Sequence, residues 1–198
     1  MNDGYVKYTA EHTTTTAIEA SHWEELNEAR TFLHKLGVVG ITPEGIGFGN
    51  LSIRYEGNSF LITGTATGAL LALSPGEYCL VRSFDIEKNH VVTSGPLHAS
   101  AESMTHGAVY ESCPAANCVI HIHSRAIFDG MIREHYTATP ANAEYGSPEM
   151  AAAISKCVKE IGKEEGSIVM TGHDEGVIAY AASVKRALEL ILELINKF

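Results

Sequence analysis

Asn117-Cys118-Val119-Ile120-His121-Ile122-His123 reads as a short apolar β-strand that ends in a His-x-His pair. Side chains alternate along a strand, so His121 and His123 project from one face while Ile120 and Ile122 project from the other. Two imidazoles at that spacing can meet one metal ion. Short motifs also recur by chance, and a pair of edge or core histidines is the alternative reading.

Outward from this strand, the pattern predicts a sheet covered by helices. On the N-terminal side, Leu51–Tyr55 and Ser59–Thr63 read as a hairpin across Glu56-Gly57-Asn58, with further strands near Glu77–Arg82 and His90–Thr93. A helix is predicted from Ala17 to Leu36, with Thr16 and Glu19 at capping-box spacing. The Gly-rich stretch from Ile41 to Asn50 reads as a loop. A second helix is predicted from Ser100 to about Glu111, and Ser124–Arg133 can also be helical. On the C-terminal side, Pro148 stands at the first position of a helix that begins at Ser147 and runs to about Ile161. Ser167–Thr171 and Gly176–Ala181 read as strands. Ser183 caps a last helix with Val184, Leu188, Ile191 and Ile195 on one stripe. Strands and helices alternate irregularly and include a hairpin. The expected class is therefore α/β (α+β) with a central mixed or antiparallel sheet, not a doubly wound parallel one. Residues 1–16 are expected to form a tail, and residues 17–198 a single domain.

The chain has 198 residues, and 14 Lys+Arg against 24 Asp+Glu give a formal net charge of −10. An acidic balance without a basic cluster argues against nucleic acid and membrane surfaces as partners. No apolar run approaches the ~18 residues of a membrane span. No apolar stretch follows a basic start, as a secretory leader would require. The expected location is cytoplasmic. Cys79, Cys113, Cys118 and Cys157 form no Cys-x-x-Cys pair and are expected to be buried free thiols.

His173, in Gly172-His173-Asp174-Glu175-Gly176, lies just past a predicted strand and is the candidate third nitrogen ligand. Three His with one open position is the catalytic zinc arrangement. Imidazole also suits other divalent metals, so Mn2+, Co2+, Fe2+ and Ni2+ stay open beside Zn2+. Glu102 is the candidate carboxylate, although a first-turn acid facing the helix dipole is the plainer reading. His106 falls on the same helix face as Glu102, and His98 precedes the helix. Three turns rich in Gly, Ser and Thr can hold a phosphate through backbone N–H groups without any basic residue: Gly49-Asn50, Thr63–Gly68 and the start of the Ser100 helix.

Taken in order, Gly49–Arg54 (GNLSIR), Leu61–Gly68 (LITGTATG), Ser100–Glu102 (Ser-x-Glu), Val119–Ser124 (VIHIHS) and Gly172–Tyr180 (GHDEGVIAY) resemble the class II aldolase/adducin family. The resemblance spans roughly residues 20–198. It implies a three-layer α/β/α fold around a mainly antiparallel sheet. It implies zinc ligation by His121, His123 and His173, an acid/base role for Glu102, and phosphate binding by Asn50, Thr67, Gly68 and Ser100. It further implies a cytoplasmic homotetramer and a metal-dependent aldolase that cleaves a phosphorylated sugar or sugar acid through a metal-stabilised enediolate. Epimerase, decarboxylase and dehydratase chemistry, and an adducin-like scaffold without catalysis, occur among relatives. This chain departs from the family pattern in four places. Ala101 replaces a Ser, the turn after Leu61-Ile62-Thr63 is longer, and Asp174 and Glu175 separate His173 from the next Gly. Tyr136 is the only tyrosine near the place where family aldolases use one.

Overall fold

An eight-stranded sheet carries the computed structural model, which describes residues 7–16, 18 and 23–198. In chain order the elements are β1 (Thr9–Thr14), α1 (Trp23–Lys35), β2 (Gly40–Ile41), β3 (Gly47–Phe48), β4 (Asn50–Arg54) and β5 (Phe60–Thr63), then β6 (Tyr78–Asp85), β7 (His90–Gly95) and α2 (Ser103–Ser112). They continue through β8 (Cys118–His123), α3 (Arg125–Arg133), α4 (Pro148–Ile161), β9 (Gly166–Val169), β10 (Gly176–Ala181) and α5 (Val184–Lys197). The sheet order is β1-β7-β6-β5-β4-β8-β10-β9, and every pairing is antiparallel except β1 with β7. The sheet is thus mixed and mainly antiparallel, as the irregular element order implies.

β8 is central, between β4 and β10. Cys118, Ile120 and Ile122 pack on one side with α1, α3 and α5, through Leu26, Leu33, Ile127, Phe128, Ala187 and Ile191. Val119 packs on the other side with α2 and α4, through Met104, Ala108, Met150 and Ile154. These are the three layers. Each buried aliphatic side chain contributes about 1.5–3 kcal/mol. A one-residue slip of β8 would swap its isoleucines with its histidines, so burial sets the register strongly.

α2 has no amphipathic stripe because it lies inside: every residue from Ser103 to Tyr110 is buried. Arg54 closes its C-terminal end by donating to the carbonyls of Tyr110 and Cys113, both at 3.0 Å. Unpaired carbonyls and the negative end of the helix dipole favour a cation there.

Four expectations are corrected. Residues 1–16 are not simply a tail, because Thr9–Thr14 pairs with His90–Gly95 as the edge strand. The stretch from Ile41 to Asn50 is not only a loop, because Gly40–Ile41 and Gly47–Phe48 pair as a two-residue ladder. The second helix starts at Ser103, not Ser100, because Ser100 makes a turn: its carbonyl accepts from Ser103 Oγ at 2.6 Å. The first helix runs from Trp23, and Ile18 is not helical; Ala17 and the predicted Glu19 capping partner lie outside the described residues. The four cysteines are free and buried.

Candidate active site

β8, β10 and the turn between β9 and β10 bring three imidazoles together. His121 pairs across the ladder with Ile178, and His123 with Gly176 at the mouth of that turn. His173 is held in the turn by its own N–H to Met170 O at 2.8 Å and by Gly176 N–H to its carbonyl at 2.9 Å. His121 Nε2 and His123 Nε2 are 3.1 Å apart, and His123 Nε2 and His173 Nε2 are 3.0 Å apart. Zinc–nitrogen bonds of about 2.0–2.1 Å in a tetrahedral site hold ligand nitrogens roughly 3.3 Å from one another. The donor set therefore fits a divalent cation.

Protonation agrees with this fit. His121 Nδ1 donates to Val177 O at 3.1 Å, which leaves the Nε2 lone pair facing the cluster. Burial is the main cause that holds His121 well below the usual histidine range, with His123 and His173 adding to it. Burial pushes His123 down to about 4, partly opposed by Asp174. Burial also pushes His173 down to about 3, helped by His123 and Lys7. Neutral imidazole is the form that ligates metal.

A pH dependence follows. His123 and His173 bind protons near pH 6.5 in the unfolded chain but only near pH 3–4 when folded. Between those limits the unfolded state holds more protons, so stability falls as pH falls through the window. The slope reaches about 1.4 kcal/mol per pH unit for each such group. Urea midpoints of the metal-free protein should drop steadily from pH 7 to pH 4.5. A flat profile would mean that the rings are solvated.

Gly172 sets the position of His173. A Cβ there would lie 1.7 Å from the Ala143 carbonyl oxygen, so any side chain must push the turn away from that loop. Gly172→Ala is expected to destabilise the fold by about 1–3 kcal/mol and to weaken metal affinity by at least tenfold. Thermal unfolding and a competitive chelator titration check both. Unchanged metal affinity would show that the turn need not hold His173 closely.

The histidines line one cavity of about 460 Å³ together with Asn50, Thr67, Gly68, Ser100 and Glu102. Each residue to which the family resemblance assigns a role is thus on its wall. Glu102 is 3% exposed and stands at the bend before α2, where its side chain makes no capping bond to the helix. Its Oε2 accepts from Thr105 Oγ1 at 2.8 Å instead. Glu102 thus stands at the N-terminal end of α2, where a carboxylate also faces the positive end of the helix dipole, and it lines the cavity at the same time. His106 is fully buried behind Asn50, whereas His98 is exposed and its ring lies 4.2 Å from that of His12. Tyr136 is not on the cavity wall; its hydroxyl accepts from Lys197 Nζ at 3.2 Å and its ring faces Phe198.

Two residues escaped the sequence reading. Tyr145 lines the cavity and stacks on the His173 ring with centroids 4.8 Å apart. No periodicity marks it, because it lies in the loop before α4. Arg30 is 1% exposed and donates to Thr67 O at 2.8 Å and Leu70 O at 2.7 Å, which fixes the turn that carries Thr67 and Gly68. His34 Nε2 adds a bond to Gly68 O at 3.0 Å. On the other side, a Cβ on Gly68 would lie 2.2 Å from Gly40 O, so β2 packs directly against the glycine. Arg30 had a readable signal, since it interrupts the apolar stripe between Leu26 and Leu33 at helical spacing.

The family model described as Class II Aldolase and Adducin N-terminal domain matches residues 24–197. Solved structures share the fold at low identity. An L-fuculose-1-phosphate aldolase from Thermus thermophilus is 22% identical with a TM-score of 0.58, over 87% of this chain and 88% of that one. Another L-fuculose 1-phosphate aldolase gives 20% and 0.68, over 91% and 84%. YgbL from Klebsiella pneumoniae, a candidate aldolase/epimerase/decarboxylase, gives 18% and 0.63, over 86% and 83%. No curated protein sequence matches the chain.

Proposed function

Since the chain belongs to the class II aldolase and adducin family, we propose that it is a metal-dependent lyase. Its reaction is carbon–carbon cleavage in a phosphorylated sugar or related hydroxy-carbonyl compound. The observation that carries this reading is the convergence of three imidazole Nε2 atoms on a cavity that also holds a buried carboxylate. An adducin-like scaffold has no need of that arrangement.

A divalent cation, zinc first among the candidates, supplies Lewis-acid stabilisation of the negative charge that develops on substrate oxygen when it is bound by His121, His123 and His173. The three neutral imidazoles bring no negative charge of their own. Glu102 carries the proton to and from the carbon that becomes nucleophilic. Thr105 holds one carboxylate oxygen, so the other is directed by that bond. Burial keeps competing water from the carbanionic carbon. Asn50, Thr67, Gly68 and Ser100 hold the phosphate. Among the described residues no Lys or Arg lines the cavity, so the anion is met by amide and hydroxyl dipoles.

The family resemblance also supports a cytoplasmic homotetramer as the working form. No helix among the described residues is long and apolar enough to cross a membrane.

The test is a panel of ketose phosphates and phosphorylated sugar acids, incubated with zinc-, manganese- and cobalt-loaded protein. Products are analysed by mass spectrometry with trapping of carbonyl fragments. Cleavage into two carbonyl compounds is the expected result. Isomerisation without fragments would assign the enzyme to epimerisation, a chemistry named alongside aldolase for YgbL. No conversion of any compound by metal-loaded protein would overturn the lyase reading.

A further inference from the structure

A buried hydrogen-bonded chain runs from the cavity wall into the core. His106 Nε2 lies 2.7 Å from Asn50 Oδ1, and His106 Nδ1 lies 2.6 Å from Ser52 Oγ. Ser52 Oγ lies 2.7 Å from Tyr110 Oη. Asn50 and Ser52 are two apart on one face of β4, while His106 and Tyr110 are four apart on one face of α2. The two periodicities therefore set the four side chains opposite one another. Ser52, His106 and Tyr110 are wholly buried, and Asn50 alone reaches the cavity. Such a chain stabilises a core only when each of its members is satisfied.

Among the described residues Tyr110 Oη has one side-chain or backbone acceptor, Ser52 Oγ. Tyr110 therefore donates to Ser52, and Ser52 donates to His106 Nδ1. Burial holds His106 down to about 3, so the ring is neutral and carries one proton. That proton is on Nε2 and is donated to Asn50 Oδ1. The reversed chain would leave the Tyr110 proton without an acceptor in a dry core. With Oδ1 occupied by His106, the amide nitrogen of Asn50 is the end left for the cavity. The reverse order would present the carbonyl oxygen there and repel an anion.

We propose that His106, backed by Ser52 and Tyr110, is a positioning residue that turns the Asn50 amide so that its N–H bonds receive an anionic oxygen of the ligand. The anion is the phosphate of the proposed substrate, so this role rests on that reading. The orientation of the chain rests on the hydrogen bonds alone.

Two measurements test it on the zinc-loaded protein. Long-range 15N spectra of the histidine rings should show His106 with Nε2 protonated and Nδ1 bare from pH 5 to pH 8. The opposite tautomer, or an imidazolium, would overturn the relay whatever the reaction. Calorimetric titration with inorganic phosphate should show binding weakened about tenfold in His106→Leu. In His106→Gln, whose side-chain N–H can still donate to Asn50 Oδ1, affinity should return to within about threefold of wild type. Metal content should be unchanged in both variants. A His106→Leu protein that keeps its metal and binds phosphate as tightly as wild type overturns the positioning role. The Gln variant and the tautomer decide the matter if His106→Leu does not fold. Wild type that shows the expected tautomer yet binds no phosphate overturns the anion role together with the phosphorylated-substrate reading.

Discussion

His121→Ala is expected to purify without a stoichiometric divalent ion and to lose at least about a thousandfold in turnover. The metal contributes several kcal/mol of charge stabilisation, and each ~1.4 kcal/mol is a factor of ten in rate. Of the three proposed ligands, His121 is the one whose geometry is fixed most firmly. It is fully buried in the middle strand, paired on both sides, and its Nδ1 is occupied by Val177 O. His123 and His173 remain as a two-nitrogen site, and the Gly172 turn keeps His173 in place. The variant should therefore fold, with far-UV circular dichroism like that of the metal-free wild type. A His121→Ala protein that retains about one tightly held ion per chain, or wild-type turnover, would remove the three-imidazole centre from the account.

Glu102→Gln is expected to keep its metal and lose about 10²–10⁴-fold in turnover, the usual range for a positioned general acid/base. The substitution is close to isosteric, and Thr105 Oγ1 can donate to the Gln carbonyl oxygen as it does to the carboxylate. Packing should hardly change. What disappears is the ability to accept a proton from substrate carbon. KM for the phosphorylated compound should move by less than about threefold, because Glu102 is not among the groups that hold the phosphate. Full turnover in the metal-loaded variant would assign the proton transfer to another group, and Tyr145 would be the first to examine.

The parts of the site that could be read from sequence are those in which local pattern and chemistry coincide. His121 and His123 were readable because a strand's alternation puts both on one face, and Ile120 and Ile122 face the opposite layer. His173 was readable only jointly with them, since a His in a Gly-flanked turn carries little signal alone. Its place in the cluster depends on the β10 ladder, which brings Gly176 opposite His123. Glu102 was legible in position but not in setting. The turn built by Ser100 and Ser103 delays the helix by three residues, so Glu102 stands at the N-cap position, where its carboxylate makes no capping hydrogen bond.

What was not legible is long-range. Thr9–Thr14 is mostly exposed and Thr-rich, and only its parallel pairing with β7 makes it a strand. The ladder of β2 and β3 has two residues on each side and no alternation to detect. Tyr145 reaches the cavity because the loop before α4 passes the β9–β10 turn, a meeting between segments that are far apart in pattern and leave no periodic trace. The His106 chain spans β4 and α2, and only the register between the two elements discloses it.

The central claim is that Glu102, beside a metal centre on three histidines, moves a proton at a carbon next to a carbonyl. Solvent exchange measures that step directly and needs neither the full substrate nor its stereochemistry. Metal-loaded protein would be incubated in D2O with short phosphorylated hydroxyketones and followed by proton NMR. Stereospecific uptake of one deuterium at the carbon beside the carbonyl is expected, abolished by chelation and by Glu102→Gln. No uptake into any of these compounds, with about one divalent ion bound per chain, would contradict that claim.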